Sequence, residues 1–439
     1  MMSAQSAARA GETVVVVGAG WAGLAAAVEL AAAGRHVTLL DAAPVLGGRA
    51  RSLEQHEHHL DNGQHLLLGA YSGVLSLLRT MGVAERDVLD RRALALAFYD
   101  AGEWITLNAN AFPAPWHVGA ALLTARGLSV ADKLRALLAV RQWQRTGFIV
   151  DPDITVAQWL RDHPPAVTRI LWEPLCVAAL STPIEHASAA QFARVLRDAF
   201  TGHRTDSDLL FATQGLGAVL PQPAARFVAA RGGDVRCGVR VRALAVDADR
   251  VTGVVAGEEL IAAQHVIVAV PPAACIELLD PHSACRDIAT HVRALESEAI
   301  TTLYAQFDDT LRLPQPLTGM VNTLTQWVFD HGYWERPGLL ALVNSGNGPH
   351  VAWPKERLMV TMIAELRLAF PELPVPRSVH MFRDKRAALS CTPESAQHRP
   401  GTLTPVHGLV LAGDYTDTGY PSTLEGAVRS GIAAARAIM

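Results

Sequence analysis

An α/β fold built around a parallel sheet is predicted by three features of this 439-residue chain. Val14 to Val17 is a continuous β-branched run, as a strand buried on both faces requires. It leads into Gly18-Ala-Gly20-Trp-Ala-Gly23 and an Ala/Leu-rich stretch to about Ala33, after which a second apolar run, His36 to Leu40, ends on Asp41. Half the residues are hydrophobic and 18% are charged, which excludes a disordered chain and supplies a large core. At 47.0 kDa the chain exceeds what one core organises, so about two to four structural units are expected.

The first unit reads as strand, helix, strand, with Gly34 placed to end the helix in a left-handed conformation. Further on, Asp234 to Asp247 and Arg250 to Val255 read as paired strands. His265 to Val270 is a buried strand stopped by Pro271 and Pro272. Gly408 to Ala412 is a last strand before a closing helix from about Thr423 to Met439. In Gly215-Leu-Gly-Ala-Val-Leu-Pro221-Gln-Pro223 two prolines confine a helix to its first turn or shift its start. Nucleotide-type elements thus lie at both ends and in the middle, giving two intertwined domains. One comprises 12–85, 206–275 and 396–439; the other, an α+β substrate domain, comprises 86–205 and 276–395.

Glycine spacing assigns the first domain its chemistry. Gly18 makes a tight turn, Gly20 lets backbone approach a pyrophosphate, and Gly23 lets helix and strand pack closely. The helix N-terminus then faces the diphosphate, and Asp41 is placed for the adenosine ribose. This Rossmann-like unit serves NAD or FAD equally. There is a single cradle, since Gly215-Leu-Gly217 lacks the third glycine and the preceding strand. A second, dedicated NAD(P)H domain is therefore not expected.

Gly47-Gly48-Arg49, just after the acid, resembles the flavoprotein superfamily of amine oxidases and carotenoid desaturases. So does Leu411-Ala-Gly413-Asp414, continuing through Gly419-Tyr-Pro-Ser-Thr423-Leu424-Glu425-Gly426-Ala427. The resemblance implies FAD, with Gly48 and Arg49 at the diphosphate and Gly413 and Asp414 at the ribityl or diphosphate region. It also implies a helix starting at Thr423 and Leu424 whose N-terminus meets the flavin N1/O2 edge, where negative charge develops on reduction. Val241 is implied at the adenine through its backbone, whereas Arg51 and Asp417 read as solvated or structural. No cysteine belongs to a recognisable attachment motif, so the FAD is expected to be non-covalent.

Leu60-Asp61-Asn-Gly63-Gln64-His65-Leu-Leu-Leu-Gly69-Ala-Tyr71 is similar to a stretch of plant-type phytoene and ζ-carotene desaturases. Over its whole length the chain resembles the squalene-associated flavoenzymes of the hopanoid pathway, which act as hydroxysqualene dehydroxylases. The likeness is best at 13–82 and 408–438. It implies Gly63 and Gln64 as flavin contacts, and Asp61, His65 and Glu425 as candidate proton donors to an allylic hydroxyl. Each of the three also has a structural reading, as a turn, a core histidine and a helix N-terminal acid. Amine oxidation is disfavoured: Lys133, Lys355 and Lys385 all lie outside the strand around Ala299 to Tyr304, where Thr301 occupies the approximate site of the lysine that many amine oxidases place near the flavin.

The remaining expectations concern partners and compartment. A net charge of −4 argues against a nucleic-acid binder. Five scattered cysteines without a C-x-x-C pair are no disulfide framework or zinc cluster, and a cytoplasmic setting is expected. The His56-Glu-His58-His59 run reads as an exposed strand or turn, with no metal. No apolar run reaches the roughly 18 residues of a spanning helix, and Met1 to Thr13 lacks a signal-peptide core. A mean hydropathy of +0.19 fits an apolar isoprenoid substrate or a large Ala/Leu/Val core equally. Ser129-Val-Ala-Asp132 fits a capping box, opening a helix with Leu134, Leu137, Leu138 and Arg141 on one face. Such a basic amphipathic helix suits either the membrane interface, on the inner face of the cytoplasmic membrane, or packing on its own domain. The electron donor to the flavin is not legible.

Overall fold

The computed structural model describes residues 13–55, 58–109, 112, 116–334 and 336–439. Met1 to Glu12, His56 and Glu57 of the histidine run, and Ala111 near the amphipathic helix lie outside them. Five parallel strands form one sheet in the order Asp234–Cys237, His36–Asp41, Thr13–Val17, His265–Val268, Leu409–Leu411. The central strand is apolar throughout because both its faces are covered. Val14 and Val16 share a core with helices Trp21–Ala32 and Leu424–Ala437, and Val15 and Val17 share another with Leu244, Leu278 and Tyr415. This is the period-two alternation of a strand. The two helices touch backbone to backbone: a Cβ at Gly431 would lie 2.0 Å from the Ala22 carbonyl oxygen.

The expected single strand from Asp234 to Asp247 is two strands. Gly238 takes φ +73°, and Gly238 and Val239 donate to the carbonyls of Ala43 and Asp41 at 3.0 and 2.8 Å. Asp234–Cys237 therefore completes the parallel sheet, while Val241–Asp247 pairs antiparallel with Arg250–Ala256. The two prolines after Gly215 have both expected effects. A four-residue helix, Leu216–Val219, ends at Leu220, and Pro221 starts a new one, Pro221–Ala229.

A seven-stranded sheet runs in the order Ser378–Leu389, Ser297–Gln306, Leu339–Ser345, Trp327–Asp330, Leu317–Met320, Ala95–Asp100, Glu103–Asn108. Its two faces belong to different cores. Leu339, Ala341 and Val343 pack towards Phe192, Leu196 and the helical layer, whereas Leu340 and Leu342 pack towards Met362 and Leu366 of helix Lys355–Ala369. The first of these faces, with the C-terminal edge of the parallel sheet, frames the cavity described next.

Candidate active site

A cavity of about 830 Å³ is lined by the residue following each of three parallel strands (Gly18, Ala42, Ala269) and by Val239 and Gly413 just beyond the other two. Ligands of open α/β sheets bind at this edge. Gly18 has φ +103° and donates to the Leu40 carbonyl at 2.7 Å. A side chain there would meet the Ala269 carbonyl oxygen at 2.5 Å, and one at Gly23 would sit 1.9 Å from the Gly18 oxygen. Gly20 differs: the nearest atom to a Cβ is Gly48 Cα at 4.0 Å. The helix N-terminus thus opens on free space, as a diphosphate requires.

Asp41 lines this cavity, and its carboxylate also organises the turn. It accepts from the Ala19 amide at 2.6 Å and the Ala43 amide at 2.7 Å. Each oxygen keeps a second lone pair for a ribose hydroxyl. Gly48 has φ +61°, and its Cβ position is 3.0 Å from Gly20 Cα, so backbone meets backbone there. Arg49 donates to the Asp414 carboxylate and, at 3.1 Å, to the Ala387 carbonyl. Asp414 also accepts from the Ser422 hydroxyl. Arg399 fixes the same segment through the carbonyls of Tyr420, Asp414 and Thr416 at 2.6, 2.9 and 2.7 Å. Gly413 donates to Ser430 Oγ at 2.8 Å, and Thr423 caps helix Leu424–Ala437 by accepting from the Gly426 amide at 3.1 Å. Thr423, Leu424 and Val241 all lie on the cavity wall.

Several expectations are corrected. Asp61 is buried and does not line the cavity; one carboxylate oxygen accepts from Ser52 Oγ at 2.5 Å and the Leu216 amide at 3.0 Å. It ties the paired strands Ser52–Gln55 and His58–Asp61 to the start of helix Leu216–Val219. Glu425 is fully buried away from the cavity, accepting from the amides of Gly73 and Val74 at 2.9 and 3.0 Å and from Arg429 Nε at 2.7 Å. It caps helix Ser72–Met81 from across the chain. Gly63 does not line the cavity either, although Asn62 and Gln64 on both sides do. Thr301 is likewise absent from the wall: Ile300 lines it, and Thr302, on the same strand face, accepts from the Gln64 amide at 3.5 Å. Arg51, read as solvated or structural, lines the cavity, whereas Asp417 is exposed and accepts from the Gly419 amide at 3.0 Å.

His65 and Gln64 remain as polar groups facing the apolar part. Burial, reinforced by Arg49, pushes His65 down to about 4, so it is neutral at pH 7. His331, pushed down to about 3 by burial and Arg336, lies 2.9 Å by Nε2 from Gln64 Oε1. An amide oxygen only accepts, so the ring donates and leaves the Gln64 NH₂ for the cavity. Both rings take up protons more readily in the unfolded chain, so the stability they contribute is complete above about pH 6.5 and is lost on acidification towards 4 and 3. The thermal midpoint is expected to fall across this window. A midpoint that stays level while pH drops would contradict buried neutral rings.

Beyond this polar end the wall includes Leu66, Leu68, Leu94, Leu96, Phe192, Leu196, Trp327, Phe329 and Val343, with Asp384 at its rim opposite Ile300. FAD fits the other end by three observations: the space above Gly20, the capped helix N-terminus at Thr423, and a cavity-lining Arg51 whose Nε is buried without a partner.

The fold and site define a flavoprotein oxidoreductase, and residues 21–439 match the family described as flavin containing amine oxidoreductase. The chain belongs to this family, and FAD is its cofactor. Among relatives, the hydroxysqualene dehydroxylase of Rhodopseudomonas palustris is 31% identical over 98% of both chains. The 15-cis-phytoene desaturase of Synechococcus elongatus is 24% identical over 97% of this chain and 95% of its own. An oxidoreductase from Methanosarcina mazei shares the fold at a TM-score of 0.77 and 18% identity, covering 96% of this chain and 99% of its own.

Proposed function

We propose that the protein reductively removes the allylic hydroxyl of hydroxysqualene, giving squalene and water. The observation that carries this reading is a single cavity joining a nucleotide-binding edge to a long wall of leucines and aromatic rings. The similarity to hydroxysqualene dehydroxylases along nearly the whole chain supports it. In this reading 12–85, 206–275 and 396–439 carry the cofactor, and 86–205 and 276–395 the isoprenoid.

Reduced FAD, when bound, supplies the hydride. The glycine turn, Asp41 and Asp414 hold the nucleotide, and the helix at Thr423 offers its positive end to the flavin edge. The leucine and aromatic wall excludes water from the departing carbon, which lengthens the life of an allyl cation. The C–O bond breaks, the oxygen leaves as water with a proton that comes from solvent at the polar end of the cavity, and a C–H bond forms with the hydride. With Asp61 and Glu425 buried among backbone amides, His65 and Gln64 are the hydrogen-bond donors assigned to the leaving oxygen. A neutral imidazole acts there as a donor rather than as imidazolium, the electrophilic role seen in other enzymes. Conversion of hydroxysqualene to squalene by the reduced protein is the test.

Membrane docking belongs to the same reading. Helix Val130–Arg145 buries Ala136, Val140 and Trp143 and exposes Val130, Leu134 and Leu138 beside exposed Arg135, Arg141 and Arg145. Leu137, expected on the outer stripe, instead packs against Gly119. Exposed leucines flanked by arginines suit an anionic bilayer surface, from which an apolar substrate would be drawn. Leu134→Asp with Leu138→Asp should abolish co-sedimentation with anionic liposomes while leaving the thermal midpoint within about a degree, since both side chains are exposed. Equal sedimentation of variant and parent would remove this surface. Among the described residues no helix is long and apolar enough to cross a membrane.

A further inference from the structure

We propose that Arg51, rather than Arg49, supplies the unpaired positive charge that meets the diphosphate of FAD. The two arginines lie two residues apart, Arg49 within the turn closed by the Ala50 amide on the Gly47 carbonyl and Arg51 just after it, and both line the cavity. Their charges are not equivalent. Arg49 already faces the Asp414 carboxylate and the Ala387 carbonyl, so that pair presents almost no net charge to a ligand.

Arg51 is held only by its backbone, donating to Asn62 Oδ1 at 3.1 Å and accepting from the Asn62 amide at 3.0 Å. Its guanidinium has no hydrogen bond or ion pair among the described residues, and its Nε is shielded from solvent. The other arginines on the wall, Arg240 and Arg242, are exposed.

Position agrees with charge. A Cβ on Gly47 would touch Arg51 Cβ at 3.0 Å, and one on Gly48 would touch Gly20 Cα at 3.0 Å. Arg51 therefore starts from the turn that faces the open helix N-terminus. A partly desolvated guanidinium without a partner is unfavourable until an anion arrives. Its planar fork suits two phosphate oxygens. Arg49 then becomes a positioning residue that holds Asp414.

The test uses the holoprotein. FAD released on dilution, read as recovered flavin fluorescence, gives Kd, and added ADP competes for the diphosphate site without touching the flavin. Arg51→Met should raise Kd for FAD at least tenfold, raise the ADP inhibition constant in parallel, and remove most of the salt dependence of both. Arg51→Lys should recover part of each. The thermal midpoint of flavin-free Arg51→Met should be no lower than that of the flavin-free parent, whereas Arg49→Met should lower it by stranding Asp414. Unchanged FAD and ADP constants in Arg51→Met overturn the assignment. So does a loss of FAD affinity with an unchanged ADP constant, which would place the arginine at the flavin ring. Should Arg51→Met fail to fold, Arg51→Lys is decisive: parental constants for FAD and ADP would contradict the fork contact.

Discussion

Alanine at Gly23 should yield a destabilised protein that purifies without flavin, whereas alanine at Gly20 should yield a stable one that has lost its flavin. The added methyl at Gly23 falls 1.9 Å from the Gly18 carbonyl oxygen and 3.2 Å from Ala269 Cβ. Carbon and oxygen need over an ångström more, so the helix must separate from the strand. Overpacking of this kind costs about 1–3 kcal/mol or more, and it moves the turn whose amides face the diphosphate. At Gly20 the backbone is ordinary, with φ −71°, and the nearest atom is 4.0 Å from the new methyl. The fold accepts it, but the methyl occupies the space left for the cofactor. The thermal midpoint of flavin-free protein and the Kd for FAD separate the two effects. Normal FAD affinity in Gly20→Ala would mean that the diphosphate does not pass over this residue.

The second large effect is expected at Glu425. Its carboxylate is fully buried and holds two amides of helix Ser72–Met81 together with Arg429. The helix has no side-chain cap of its own, so Glu425→Ala strands two N–H groups at once and leaves Arg429 with only Asp198, at 3.7 Å, as its ion-pair partner among the described residues. Breaking a buried pair in this way costs about 3–5 kcal/mol, a large share of a typical folding free energy. Glu425→Gln keeps one acceptor and should fall between. Turnover per bound flavin in the folded fraction should be unchanged, because the side chain does not reach the cavity. A Glu425→Gln protein of normal stability without activity would restore the acid role assigned from sequence.

The contrast between these two sites shows what the sequence can reveal. The Gly18 to Asp41 unit is local: strand, turn, helix and strand follow one another, and the glycine spacing reports contacts within a few residues. The closing segment from Leu409 to Ala437 is legible for the same reason. Glu425 is not, because its partners Gly73 and Val74 lie 352 and 351 residues away and nothing in the closing motif announces them. Asp61 is similar, since burial against Ser52 and Leu216 is a tertiary fact. Arg49 and Arg51 are indistinguishable by type, and only the distant Asp414 divides their roles. Gly238 does carry a signal, a glycine inside an apparent strand, which marks the break between two sheets.

The most direct test of the account is a single anaerobic turnover in D₂O. Fully reduced protein is mixed with one equivalent of hydroxysqualene, and the visible absorption of oxidised flavin is followed while the lipid is extracted for mass analysis. Hydrogen on the reduced flavin's N5 exchanges with solvent, so the hydride delivered should carry deuterium. The expected result is reoxidised flavin in step with squalene bearing one deuterium, at the former carbinol carbon or its allylic partner. Oxidised protein given phytoene or squalene should form no new double bond. Desaturation of either hydrocarbon by the oxidised protein, with hydroxysqualene left intact by the reduced one, would contradict the account and make the protein a desaturase.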